Sequence, residues 1–171
     1  MAVIKTNGVI QQRSKVTNSR TTFNSGGGWH ELSTNYRHTI TPVQSGSIIY
    51  LEYFIPINQN GGTNKLMNIK FQRSTDGGST WSDIAYLGEA SVGNRRPMIA
   101  CFRPYGYDGN DATDYLFTGI DNASTTSTIT YRAVFYAGDG APDWFVNYSN
   151  SDGVAWQWTG TMTFTLTEIA Q

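Results

Sequence analysis

The sequence contains a single cysteine, Cys101, so no disulfide can form within the chain and the fold must rest on its core. Charge is scarce and balanced, with 12 basic against 13 acidic residues and only 15% charged in all. A field that weak excludes general electrostatic binding of nucleic acid. Two histidines, His30 and His38, and one remote cysteine cannot supply a recognisable zinc set, and no G-x-S-x-G elbow favours a serine triad. No run of about 20 apolar residues occurs, and MAVIKTNGVIQQ has no apolar stretch of signal-peptide length. We therefore expect no membrane partner, no metal and no cofactor, in a protein made in a cytoplasm. The stretch Met98-Ile99-Ala100-Cys101-Phe102 is apolar, which suggests a buried, inert thiol.

What is present is material for a β core. Aromatic residues make up 13% and apolar residues 39%, in a background rich in Gly, Asn, Ser and Thr that suits tight turns. Met67, Ile69 and Phe71 alternate with Asn68, Lys70 and Gln72, and Met162, Phe164 and Leu166 alternate with threonines at 161, 163, 165 and 167. Period two with one apolar face predicts half-buried strands. Further strands are predicted at Tyr36–Pro42, Ser47–Ile57, Arg96–Arg103, Tyr115–Ile120 and Ser127–Tyr136. Seven or eight short strands without helical periodicity predict an all-β fold, a single jelly-roll-like sandwich. In the Ser47–Ile57 run Ile48, Ile49, Leu51 and Phe54 place apolar residues on both faces, more than a lone sandwich needs. That surplus predicts contact between copies.

The first 30 residues carry Lys5, Arg13, Lys15 and Arg20 and no acid, leaving residues 31–171 with a net charge of −5. This segment reads either as a solvated tail or first strand or, with the apolar anchors Val3, Ile4, Val9, Ile10 and Val16, as a docking arm over residues 1–25 ahead of a jelly-roll body over 26–171. Gly26-Gly27-Gly28 would be the hinge. The residues from Ala137 to Gln157 suggest a long loop holding Trp144, Phe145, Tyr148 and Trp156, with Trp158 just after it. Such aromatics either fold over one end of the sandwich or form a contact or ligand surface.

Ser74-Thr75-Asp76-Gly77-Gly78-Ser79-Thr80-Trp81 reproduces the S-x-D-x-G-x-T-W "Asp box" of sialidase-like propellers. In that motif the carboxylate caps a turn, the glycine supplies a permissive φ and the aromatic packs against the hairpin, so Ser74, Asp76, Gly78, Thr80 and Trp81 are expected to be structural. A propeller needs about four blades of about 40 residues, and one box excludes it. Asp108, Asn110, Asp111 and Asp114 form an oxygen-rich loop without the glycine and glutamate of an EF-hand. A turn is the expectation there.

From about Ser19 to Ile169 the chain resembles small jelly-roll proteins of tailed bacteriophages, cyanophage-like ones in particular, similar to the tumour necrosis factor-like trimeric heads of phage decoration proteins and tail fibres. The resemblance is carried by SRTTFNSGGGWHELSTNYRHTITP, NIKFQRSTDGGSTW, ITYRAVFY and TMTFTLTEIA. It implies a non-enzymatic virion structural protein that works as a homotrimer. With about 25 residues ahead of the first strong strand and no shaft, a capsid decoration or cement protein seated on the major capsid protein or another virion protein is expected first. A tail-fibre head or receptor- or carbohydrate-binding protein is the alternative.

Overall fold

The computed structural model describes residues 8–23, 28–59, 66–84, 98–102, 113–137, 144–148 and 159–171. Val3, Ile4, Lys5, Gly26, Gly27, Asp108, Asn110, Asp111, Trp156 and Trp158 lie outside the described residues. In chain order the strands are β1 (Val9–Thr17), β2 (Thr21–Phe23), β3 (Trp29–Glu31), β4 (His38–Ile40), β5 (Ile48–Gln59), β6 (Met67–Ser74), β7 (Ser82–Asp83), β8 (Ala100–Phe102), β9 (Thr113–Asn122), β10 (Ile129–Ala137), β11 (Trp144–Val146) and β12 (Met162–Ile169). A 3-10 turn at Thr34–Tyr36 precedes β4.

The strands make two antiparallel sheets of four rows each. In the first, β5 is flanked by β9 on one edge. Its other edge is shared end to end by β12, along Ile48–Phe54, and β11, along Ile57–Gln59. β1 then covers β12, and β2 covers β11. In the second sheet β10 pairs with β6 on one edge and with β3 and β4 on the other, and β7 and β8 divide the far edge of β6. Numbered along the chain, the first sheet holds rows one, eight, three and six, and the second rows two, seven, four and five. That is the double Greek key of an eight-row jelly roll.

The inward residues are those the alternation selects. Ile49, Leu51, Tyr53, Ile55 and Ile57 of β5, Met67, Ile69 and Phe71 of β6, and Met162, Phe164 and Leu166 of β12 are all fully buried. Tyr53, Phe71 and Phe164 meet at the centre with ring separations of 5.1 to 6.1 Å, two of the three contacts edge-on, the geometry ring quadrupoles favour. Gly119 of β9 faces the same cluster. A Cβ there would stand 2.6 Å from the Phe71 ring, so only glycine lets the two sheets approach at this point.

Three expectations are corrected. Residues 9–17 are not an arm ahead of the sandwich but its edge strand, with eight residues in register on β12. Side chains tie β1 across to the second sheet, Gln11 donating to the Thr41 carbonyl and Lys15 to the Arg37 carbonyl. Part of the expected 137–157 loop is strand: Trp144–Val146 fills the row beyond β12, with Trp144 wholly in the core. Cys101 is exposed rather than buried, because it pairs with Asn68, whose side chain belongs to the outer face.

Candidate interaction surfaces

The Asp-box hairpin joins β6 to β7. Asp76 accepts hydrogen bonds from the backbone N–H groups of Ser79 and Thr80 and from the hydroxyls of Ser74 and Thr80. Those bonds, led by the Ser74 hydroxyl, hold its carboxyl far below the usual carboxylate range. Gly78 has φ +96°, and a Cβ on it would come 2.9 Å from the Arg37 guanidinium. These bonds close the turn between β6 and β7.

Trp81 extends that hairpin over the outer face of the second sheet. Its indole N–H donates to the Gly78 carbonyl, and its ring lies 4.0 Å from the Arg132 guanidinium and 4.9 Å from that of Arg37. Glu31 of β3 accepts from both arginines, Gln72 accepts from Arg132, and Lys70 lies against the Trp29 ring while pairing with Asp83. Acid, base and aromatic groups here satisfy one another. The face is a closed network that water can bathe.

The outer face of the first sheet is built differently. Register places Val16, Thr163, Phe54 and Leu116 in one cross-strand row, Ser14, Thr165, Glu52 and Thr118 in the next, and Gln12, Thr167, Tyr50 and Ile120 in a third. Val16 is 64% exposed, Leu116 61% and Ile120 41%, while Tyr50 and Phe54 are half-buried. Glu52 is the one charge in these three rows, and among the described residues it has no hydrogen-bond or ion-pair partner. Exposed apolar residues grouped on one face, here on either side of a polar middle row, mark contact sites in soluble proteins. The outward Leu116 and Ile120 of β9, among Asp114, Thr118 and Asn122, were the available signal for it.

The rims hold the buried polar groups. Glu168 continues the inward set Met162, Phe164, Leu166 and is fully buried, where its carboxylate accepts from the backbone N–H groups of Val43 and Gln44 and from the Gln11 amide. Burial pushes its pKa up, but these bonds together outweigh burial and leave it below the usual value. Asp121 joins the sheets at the other side, accepting from Arg73 at 3.0 Å and from the Tyr131 hydroxyl at 2.9 Å. Burial, with the Asp121 charge added, pushes the Tyr131 phenol far up. His38 is half-buried near Phe164 with its Nε2 fully covered and unpartnered among the described residues. Burial lowers its pKa, and the charges of Lys15 and Arg13 lower it further.

Of the remaining candidates, Val9, Ile10, Arg13 and Lys15 lie on β1, and Arg20 follows it with its guanidinium 5.7 Å from the Tyr148 ring. Tyr148 packs edge-on against Phe145 and bonds to the Thr22 hydroxyl, so it fastens β2 to β11. Trp144 is no surface aromatic. Among the described residues no group of three His, Cys, Asp or Glu could hold a metal ion, and no helix is long and apolar enough to cross a membrane. No protein-family model and no curated protein matches the chain.

Proposed function

We propose that this chain is a non-enzymatic structural protein of a tailed-phage particle, a homotrimeric capsid decoration protein that recognises other protein surfaces rather than a small substrate. The observation that carries the reading is the contrast between the outer faces among the described residues: one sheet carries a network of paired charges and aromatic rings, the other presents the exposed Val16, Leu116 and Ile120 beside the half-buried Tyr50 and Phe54. Apolar area of that kind favours association by roughly 25 cal/mol per Å² removed from water. The sequence resemblance supplies the phage setting and the three-fold count. Purified protein should have a solution mass about three times its 18.9 kDa. A monomer at micromolar concentration would remove the association on which the reading depends. Labelling of intact particles should place the protein on the capsid shell; label on the tail would replace decoration with the fibre-head role.

A further inference from the structure

We propose that the seam between β1 and β4 holds a small tetrahedral oxyanion of the phosphate class, bound by the Arg13 guanidinium, the His38 imidazole and the Thr39 backbone N–H. Every group in the site belongs to one copy, so it stands apart from self-association.

β1 closes one side of the sandwich by reaching across to β4 of the facing sheet. Two rim side chains make that closure: the Gln11 amide donates to the Thr41 carbonyl at 2.7 Å, and the Lys15 ammonium to the Arg37 carbonyl at 2.9 Å. Arg13 and Thr39 stand midway between these ties and are not joined. Arg13 has the inward parity of its neighbours, yet among the described residues its guanidinium makes only a 3.4 Å bond to the Gln11 side chain and no ion pair. A groove of about 300 Å³ opens at this point, lined by Arg13, His38, Thr39, Ile40 and Thr41. That volume lies at the small end of ligand sites.

Donors converge on the groove from both strands. Backbone groups of alternate residues in a strand point to the same side. Because the Arg37 and Thr41 carbonyls face β1, the Thr39 N–H faces it as well, away from β10. The Arg13 fork matches the oxygens of an oxyanion, and the half-buried His38 ring beside it has an Nε2 without a partner among the described residues. Three donor groups on two strands suit the several oxygens of a tetrahedral anion better than the two of a carboxylate.

Charge points the same way. Burial holds the His38 ring towards its neutral form, and the Lys15 and Arg13 charges push in the same direction. The other ionisable groups around the seam are engaged elsewhere: Arg37 with Glu31, the Tyr131 hydroxyl with Asp121, and Glu168 with the Val43 and Gln44 N–H groups and the Gln11 amide. Among the described residues no acid pairs with Arg13, Lys15 or His38. An anion in the groove offsets the first two charges, favours the charged imidazole and ties the middle of a seam that Gln11 and Lys15 tie on either side.

The test is thermal melting of the full chain at about pH 6.5, the ordinary histidine value, in sodium phosphate and in sodium chloride of equal ionic strength. Phosphate should raise the melting temperature by about 2–4 °C over chloride, and Arg13→Gln should fold but lose that gain. A gain of the same size in Arg13→Gln would mean that phosphate acts as an excluded salt, and would overturn the proposal, as would equal melting of the wild type in the two salts. Sodium acetate should give less than phosphate; an equal gain would make the ligand a carboxylate and overturn its assignment. In proton NMR His38 should titrate at higher pH in phosphate than in chloride while His30, the only other histidine, stays where it is. If both histidines moved alike, or neither moved, the seam would not be the site.

Discussion

At the scale of single residues, the polar groups that matter most are carboxylates used as acceptors for backbone N–H groups. Glu168 closes the β4–β5 connection onto the end of β12, taking the N–H groups of Val43 and Gln44 that no strand pairs. Glu168→Ala would remove the acceptor of those donors, whose residues are exposed and can turn to water, and should lower stability by roughly 1–2 kcal/mol in denaturant melts. Its pKa lies below the ordinary value in the folded protein, so the unfolded chain binds the proton more readily. Its contribution is then complete above about pH 4.3, the unfolded value, and is lost as pH falls through the folded one. The Glu168→Ala protein should accordingly show a shallower loss of stability below pH 4.3 than wild type. Asp76 works the same way on an exposed hairpin. Asp76→Ala should speed hydrogen exchange at the Ser79 and Thr80 amides and lower the melting temperature, with sialoside hydrolysis absent both before and after. Turnover in the wild type that vanished in the variant would make the motif catalytic.

Elements differ in how openly the sequence declares them, and β1 is the instructive case. VIQQRSKVT has no apolar face because it is a rim strand: Gln11, Arg13 and Lys15 have the inward parity, yet at the rim Gln11 and Lys15 reach carbonyls of the facing sheet. Polar side chains there satisfy partners that a core position could not offer, and the period-two signal disappears. Deleting residues 1–17 should therefore do more than remove a tail. It strips the partner of β12, uncovering the strand that carries Phe164 and Leu166, and should give a protein that melts earlier and aggregates through the exposed edge. A truncated chain with unchanged melting would restore the arm. By contrast β6 and β12 were legible because they lie between other rows and bury one complete face. Glu168 was legible in principle, at the inward parity of Met162, Phe164 and Leu166, but its backbone partners sit about 125 residues away along the chain. The Asp box could be read whole, since all its bonds span four residues or fewer.

For the whole molecule, the jelly roll leaves two broad faces to solvent, and their chemistry assigns them different tasks. On the second sheet the Arg37, Arg132 and Lys70 cations are matched by Glu31, Asp83 and the Trp29 and Trp81 rings, so a partner there would have to break bonds before making any. On the first sheet no such network among the described residues ties down Leu116, Ile120, Tyr50 and Phe54. The two faces can be tested separately. Leu116 and Ile120 are exposed in the isolated chain, so Leu116→Lys with Ile120→Lys should change the stability of the monomer by no more than about 0.5 kcal/mol per site. In an assembly the same two lysines would be forced out of water, and the dissociation constant should rise by about a hundredfold or more. Ser82→Lys, placed on the exposed hairpin of the second sheet, should leave assembly at wild-type strength. If the Ser82 variant dissociated and the double variant did not, the contact would belong to the second sheet, and its stacked tryptophans and arginines would have to be read as an interface rather than as a surface complete in itself.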